Sequence, residues 1–223
     1  MSDLERFPAP HVAVDVAVLT VPPDGPLSVL LVRRSGDQGG MWALPGRFVR
    51  ERERLSHAVT VTLEEKVGLS PTALREMSPR QLHVFDEPDR DDRGWVMSAA
   101  HLLALPFEQL SAALESEPVM LARIDGARAV APGQRRLPYG QDAIVEFAVE
   151  EMRRLYSSTP DPEGLIAESD FTLAQLHDLH TAVLDAAWQI DTFRRHMIPQ
   201  LVDTGRRSEG GVGRPAALYQ RSA

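Results

Sequence analysis

Apolar positions along the chain fall into patterns with two different periods. From His11 to Val21 they alternate and are rich in valine, which predicts a strand. Leu27 to Arg33 reads as a second, buried strand, joined to the first by the Pro22–Pro26 loop. Further strands are expected around Gln81–Phe85, Trp95–Leu105 and Val119–Arg123. The period shifts to helical over Leu55–Val67, with Ser56 as a candidate cap and Gly68 placed to end the helix. It does so again over Asp142–Leu155, which opens on an acid and closes on Arg153-Arg154, matching the helix dipole.

After Tyr156 the pattern breaks. Ser157 to Gly164 is rich in turn formers and holds two prolines, and predicts a linker over 157–164 between a region 1–156 and a region 165–223. In the second region Thr172 should cap a helix whose apolar face carries Leu173, Leu176, Leu179, Val183 and Leu184. Asp191 should cap another over Thr192–Ile198. Leu201-Val202 then leads into a Gly/Arg loop, and Ala216–Tyr219 can return as a strand. Two helices followed by a hairpin with a basic tip is the order of a winged helix-turn-helix.

Composition narrows the classes. Hydrophobic residues are 43% and charged residues 25%, ordinary for a globular protein, and no apolar run approaches the ~20 residues needed to span a bilayer. Residues 1–6 lack the basic start and apolar core of a signal peptide, so the expected location is cytoplasmic. With no cysteine, disulfides, thiol catalysis and cysteine–zinc sites are excluded. Net charge is −8, yet from Thr192 onward six arginines stand against two acids, Asp203 and Glu209. That asymmetry suits contact with DNA phosphates, with Arg194 and Arg195 on a helix able to enter the major groove and Arg206, Arg207 and Arg214 on the wing. Gly210, Gly211 and Gly213 would bring Arg214 close to the backbone or minor groove. His177 and His180 lie three apart on the preceding helix and read as surface residues, since no third ligand is apparent. Trp188 and Phe193 read as core.

The run Trp42-Ala43-Leu44-Pro45-Gly46-Arg47-Phe48, followed by Glu53 and by Leu63-Glu64-Glu65-Lys66-Val67-Gly68-Leu69, resembles the Nudix family of nucleoside diphosphate hydrolases. With the glycine that opens the family box set at Arg47, the first box glutamate falls on Glu53. The Arg-Glu pair falls on Val61 and Thr62, the Glu-Glu pair on Glu65 and Lys66, and Gly68-Leu69 close the box in register. Nudix chemistry holds magnesium on the substrate pyrophosphate with carboxylates of one helix. Here an acid is replaced by Thr62 and another by the cation Lys66, the one lysine of the chain. The expected reading is a kept scaffold without catalysis and without a metal. The alternative is an active hydrolase of ADP-ribose or a related compound, drawing on carboxylates such as Glu51, Asp86, Glu87, Asp89, Asp91 or Asp92. The segment Asp86–Gly94 also reads as a solvated turn.

A degenerate Nudix domain followed by a winged helix ending Gly213-Arg214-Pro215-Ala216-x-Leu218-Tyr219 resembles the Nudix-related transcriptional regulators called NrtR, over nearly the whole chain. The resemblance implies an α+β chain: a Nudix-type α/β/α sandwich for effector binding over 1–156, and a small winged helix-turn-helix over 165–223. It implies a homodimeric repressor of NAD biosynthesis or salvage genes on a palindromic double-stranded operator. The effector would be an NAD-related nucleotide, ADP-ribose or NAD, with no cofactor. The residues expected on DNA are Thr192, Arg194, Arg195, His196, Arg206, Arg207 and Arg214. Those expected at the effector, in the former substrate cleft, are Trp42, Arg47, Phe48, Glu53 and Arg93. Trp42 could serve either as core or as a stacking surface for a base.

Overall fold

Ten consecutive residues with valine at every second position can bury both of their faces only in the middle of a sheet, and β1 (His11–Thr20) does so. Its last eight residues are buried. Val14, Val16 and Val18 join the core on one side of the sheet, and Ala17 and Leu19 join the core on the other. The computed structural model describes residues 6–34, 40–115, 118–209 and 215–222.

The main sheet adds β2 (Ser28–Arg33), β3 (Trp42–Ala43), β4 (Gly46–Phe48), β5 (Arg80–Phe85), β6 (Val96–Ala104), β7 (Val119–Asp125) and β8 (Arg128–Ala129). Its order is β5-β6-β1-β2-β7-β8, with β3 paired to β2 and β4 to β1. Only the β1–β6 pair is parallel among the pairings of this sheet in the described residues. One face is covered by α1 (Leu55–Thr62), α2 (Pro71–Glu76) and α3 (Ser111–Leu114), the other by α4 (Gln141–Tyr156), so the unit is an α/β/α sandwich. Each fully buried leucine or valine in these two cores stabilises the fold by about 1.5–3 kcal/mol.

The second sheet, β10-β11-β9, is built from β9 (Phe171–Thr172), β10 (Leu201–Arg207) and β11 (Ala217–Arg221). It packs with α5 (Leu173–Leu184) and α6 (Ile190–Met197) around Phe171, Leu176, Phe193, Met197 and Tyr219. This is a winged helix, with Gly205 taking the positive φ of 69° where the β10–β11 register shifts. Thr172 caps α5 in a full capping box with Gln175.

Several expectations change. The helix over Leu55–Val67 is α-helical to Thr62 and then widens to a π turn over Leu63–Val67, ended by Gly68 at φ 79°. Ser56 does not cap it: the N-cap position is Arg54, with no side-chain bond. Gln189, not Asp191, caps α6, its Oε1 accepting from the Thr192 N–H at 2.8 Å. His180 is not a surface residue. It is fully buried, its ring edge-on to Tyr156 and Phe193, because it sits one turn from Leu176 on the inward stripe of α5. The Ser157–Gly164 segment is not merely a solvated tether. The Asp161 side chain is wholly buried and accepts from Tyr156 Oη at 2.7 Å, Leu165 N at 2.7 Å, Ile166 N at 3.0 Å and Arg221 Nε at 3.0 Å. One carboxylate thus ties the end of α4 to the last strand of the winged helix.

Candidate functional site

A cavity of about 340 Å³ opens beside β1 and β4 of the main sheet. β1 supplies Asp15, β4 supplies Arg47 and Phe48, the π turn supplies Lys66, and the loop before β6 supplies Arg90, Asp91 and Arg93. Arg34 closes one side, and Tyr139 and Gln141, at the entry to α4, close another. Gly46 is required here: a Cβ would overlap Asp15 Oδ1 and lie 2.8 Å from the Val14 carbonyl oxygen, so only glycine lets β4 pair against β1 at Asp15.

The cavity is cationic and organised from within. Arg93 donates to both carboxylate oxygens of Asp91, at 2.8 and 2.6 Å. Its guanidinium stacks 3.8 Å from the Tyr139 ring centre and 5.0 Å from that of Phe48. Burial pushes the Asp91 carboxyl up, but the Arg93 bonds more than offset this and hold it below the usual carboxylate range. Asp15 is the reverse case. Burial raises its pKa, and hydrogen bonds from Ser98 at 2.6 Å and Gln141 at 2.7 Å, with Arg90 at 3.7 Å, recover only part of the shift. Tyr139 reaches the cavity from a left-handed backbone, φ 58°, followed by Gly140 at φ 65°. A tyrosine there costs about 1–2 kcal/mol, a strain that collects at ligand sites.

Of the residues expected at the effector, Arg47, Phe48 and Arg93 line the cavity. Glu53 does not line it but ion-pairs Arg47 at 2.7 Å and accepts from the Arg50 N–H at 2.8 Å, which with Arg47 hold its carboxyl below the usual range against its partial burial. Trp42 lies elsewhere: it packs on the core beside α4, and its backbone exchanges hydrogen bonds with the Gln134 side chain. The Asp86–Gly94 segment is not a purely solvated turn, since Asp91 is buried at the cavity wall. Asp15, Arg34, Arg90, Asp91, Tyr139 and Gln141 were not among the expected effector residues. Asp15 carried a signal, as the one charge in an otherwise apolar strand core.

A hydrolase of this fold would need divalent metal, and the donor set does not fit one. Glu53 is committed to Arg47 and Arg50. Thr62 is buried, its hydroxyl donating to the Ala58 carbonyl at 2.7 Å. Lys66 puts an ammonium on the cavity wall. Among the described residues no three histidine, aspartate or glutamate side chains gather as a ligand set.

The second surface is on the winged helix. On α6, Phe193 and Met197 point into the core while Thr192, Arg194, Arg195 and His196 are exposed. Neither arginine pairs with an acid among the described residues; Arg195 makes a long 3.4 Å bond to Thr192 Oγ1. On the wing, Arg206 is ion-paired to Asp170, and Arg207 is exposed and donates to the Pro215 carbonyl. Arg214, with Gly210, Gly211 and Gly213, lies outside the described residues.

Comparison with known proteins places both surfaces in context. The NUDIX domain profile matches residues 9–143, and the NrtR DNA-binding winged helix domain profile matches residues 166–220. The chain is 27% identical over 225 aligned residues to the ADPR responsive transcriptional repressor NtrR of Acinetobacter baylyi, covering 96% of this chain and 83% of that protein. The crystal structure of Shewanella oneidensis NrtR complexed with a 27mer DNA is 27% identical, with a TM-score of 0.74, covering 95% of this chain and 93% of that one. A shorter match, 35% identical over 85 residues and covering 38% of this chain and 47% of the relative, is to the ADP-ribose pyrophosphatase of Methanocaldococcus jannaschii.

Proposed function

The chain belongs to the Nudix family and carries an NrtR-type winged helix behind its Nudix domain; from that premise we propose that it is an ADP-ribose-responsive transcriptional repressor. The observation that carries the reading is α6. It is a short helix whose outer face presents Arg194, Arg195 and His196 to solvent without acidic partners among the described residues, in a chain aligned over nearly its full length with a DNA-bound relative. Solvated, unpaired cations are what phosphate neutralisation and guanine readout require.

In this reading the protein is a cytoplasmic homodimer. It presents two α6 helices to the half-sites of a palindromic operator, ahead of genes of NAD biosynthesis or salvage. Arg207 and Arg214 hold phosphates from the wing, and Arg206 joins them on release from Asp170. ADP-ribose or NAD occupies the cationic cavity, with Arg47, Phe48 and Arg93 among its contacts. The Nudix domain is non-catalytic, because its box has exchanged metal-binding acids for Thr62 and Lys66.

The route from cavity to DNA runs along α4. Gln141 in its first turn holds Asp15 of the cavity, and Tyr156 in its last turn holds Asp161, which in turn holds Arg221 of β11. Sixteen helical residues span about 24 Å, so both ends of one rigid element sense the two sites. The nucleotide shifts DNA affinity only as far as it prefers one placement of that element over another.

Fluorescence anisotropy on DNA from upstream of its own operon, against scrambled DNA and with or without ADP-ribose or NAD, tests the reading. Sequence-selective binding that a nucleotide changes is expected; DNA binding indifferent to sequence would sink it. The match to a pyrophosphatase keeps a hydrolase as the second reading. Turnover of ADP-ribose with magnesium, abolished by Glu65→Gln, would establish that one.

A further inference from the structure

Three side-chain polar atoms in the cavity wall are buried and lack a hydrogen-bond partner among the described residues: Arg34 Nε, Arg90 Nη2 and Tyr139 Oη. They come from three separate stretches of chain and meet in one place. Each is a donor, and two belong to permanent cations. A buried donor left unmade costs the folded chain free energy that a ligand acceptor returns, so donors orphaned together in one concavity point to an anion. Asp15 balances part of the Arg90 charge as an ion pair at 3.7 Å, but that distance is too long for a hydrogen bond, so the Nη2 donor stays unsatisfied.

Lys66 lines the same cavity from the π turn, at the box position where an acid would bind metal. A metal there would bridge pyrophosphate oxygens and cancel their charge. An ammonium cancels the same charge directly and repels a divalent ion. We propose that Arg34, Lys66, Arg90 and Tyr139 form a metal-free clamp for the diphosphate of the effector, with Lys66 supplying the charge a divalent cation supplies in a hydrolase. The proposal rests on the reading of this cavity as the effector site and adds how that site grips its ligand. Guanidinium forks match phosphoryl oxygens in pairs, while the lysine acts as a point charge. The strained backbone at Tyr139 holds the phenol among them. Arg93, bonded to Asp91 through two of its nitrogens and stacked on Tyr139 and Phe48, stands beside the clamp with Nη1 unspent on Asp91.

Isothermal titration calorimetry of the full chain with ADP-ribose, once in EDTA and once in magnesium chloride, tests the clamp, with inorganic pyrophosphate titrated in parallel. The affinity for ADP-ribose is expected to agree within about twofold between the two buffers. Lys66→Gln and Arg34→Gln should each weaken it by about tenfold or more in both, which is about 1.4 kcal/mol or more, while unfolding curves stay like the wild type's. Binding that vanishes in EDTA would overturn the proposal, as would full affinity in both variants. Pyrophosphate binding without ADP-ribose binding would keep the clamp and remove the nucleotide reading. Binding of neither would remove the clamp itself.

Discussion

The cavity and the outer face of α6 are both arginine-rich, but they hold their arginines in opposite ways. In the cavity, Arg93 is fixed by two bonds to Asp91 and by two aromatic rings, and Arg47 by Glu53. On α6, Arg194 and Arg195 stand in solvent and pair with no acid among the described residues, Asp191 one turn back included. A small ligand gains affinity when the groups that bind it are already immobile, because little entropy is lost on binding. DNA gains affinity from counterions released off its phosphates, which needs hydrated charges free to follow the backbone. Arg93 and Arg47 are therefore held by acids beside a small-ligand cavity, whereas Arg194 and Arg195 pair with no acid among the described residues on a face suited to a polyanion.

Asp161 joins the two regions, and its loss should have the largest effect. Asp161→Asn leaves the Arg221 guanidinium facing a neutral amide and weakens the bonds to Tyr156, Leu165 and Ile166. Breaking a buried ion pair from one side costs about 3–5 kcal/mol. Hydrogen exchange of the α5, α6 and β9–β11 amides should show the winged helix loosened by that order, with ADP-ribose affinity retained. If nucleotide binding fell equally, the two regions would be one cooperative unit and the contrast between them would lose its meaning.

The next effect belongs to DNA alone. Arg194→Ala combined with Arg195→Ala should lower affinity for operator DNA by about a hundredfold at physiological salt, and lessen the slope of log affinity against log salt by about two. Anisotropy over a salt series measures both. Calorimetry with ADP-ribose on the same variant should be unchanged, since both side chains lie on the outer face of α6. An unaltered salt slope would mean these arginines do not touch phosphate or base.

The converse substitution is Arg93→Gln. It should weaken ADP-ribose binding by about tenfold, because a flat cation is replaced by a neutral amide that stacks less well. It also leaves Asp91 buried against the cavity wall without its counter-ion, so the stability of the Nudix domain should fall modestly as well. Operator affinity without nucleotide should stay the same. A change there would place Arg93 in the coupling between the sites rather than in ligand binding.

What could be read in the sequence follows from the range over which each feature is determined. The alternation in β1, the cap at Thr172 and the inward Phe193 of α6 depend on neighbours a few positions away, and the pattern carries them. The cavity does not form this way. Asp15, Arg90, Tyr139 and Gln141 belong to four segments that meet only when β1 pairs with β6 and α4 docks on the sheet. Trp42, readable either as core or as a stacking surface for a base, packs on the core side of the sheet, where its pairing with Arg33 sets its face. Asp161 hid in a proline-rich stretch whose composition signals a boundary. A buried carboxylate pins that stretch, and composition says nothing of burial.

The smallest expected effect tests the seam by pH. His180 lies between Tyr156 of α4 and Phe193 of α6, fully buried, and burial lowers its pKa to about 4. Unfolded, the ring titrates near 6.5. Between those values the unfolded chain carries a proton that the folded chain does not, so stability rises with pH through the window and is lost as pH falls from about 6.5 toward 4. From about pH 7 to pH 5.5 the loss from this one ring is about 1 kcal/mol. His180→Phe removes the proton and keeps a ring edge-on to its neighbours, so the variant should unfold at the same urea concentration at both pH values, once the shared acid dependence of the carboxylates is measured in parallel. A variant with the wild type's full pH dependence would show that the ring is not held neutral at the seam. A flat profile that also left DNA affinity independent of pH in that window would put acid sensitivity of the winged helix in this histidine rather than in the exposed His196.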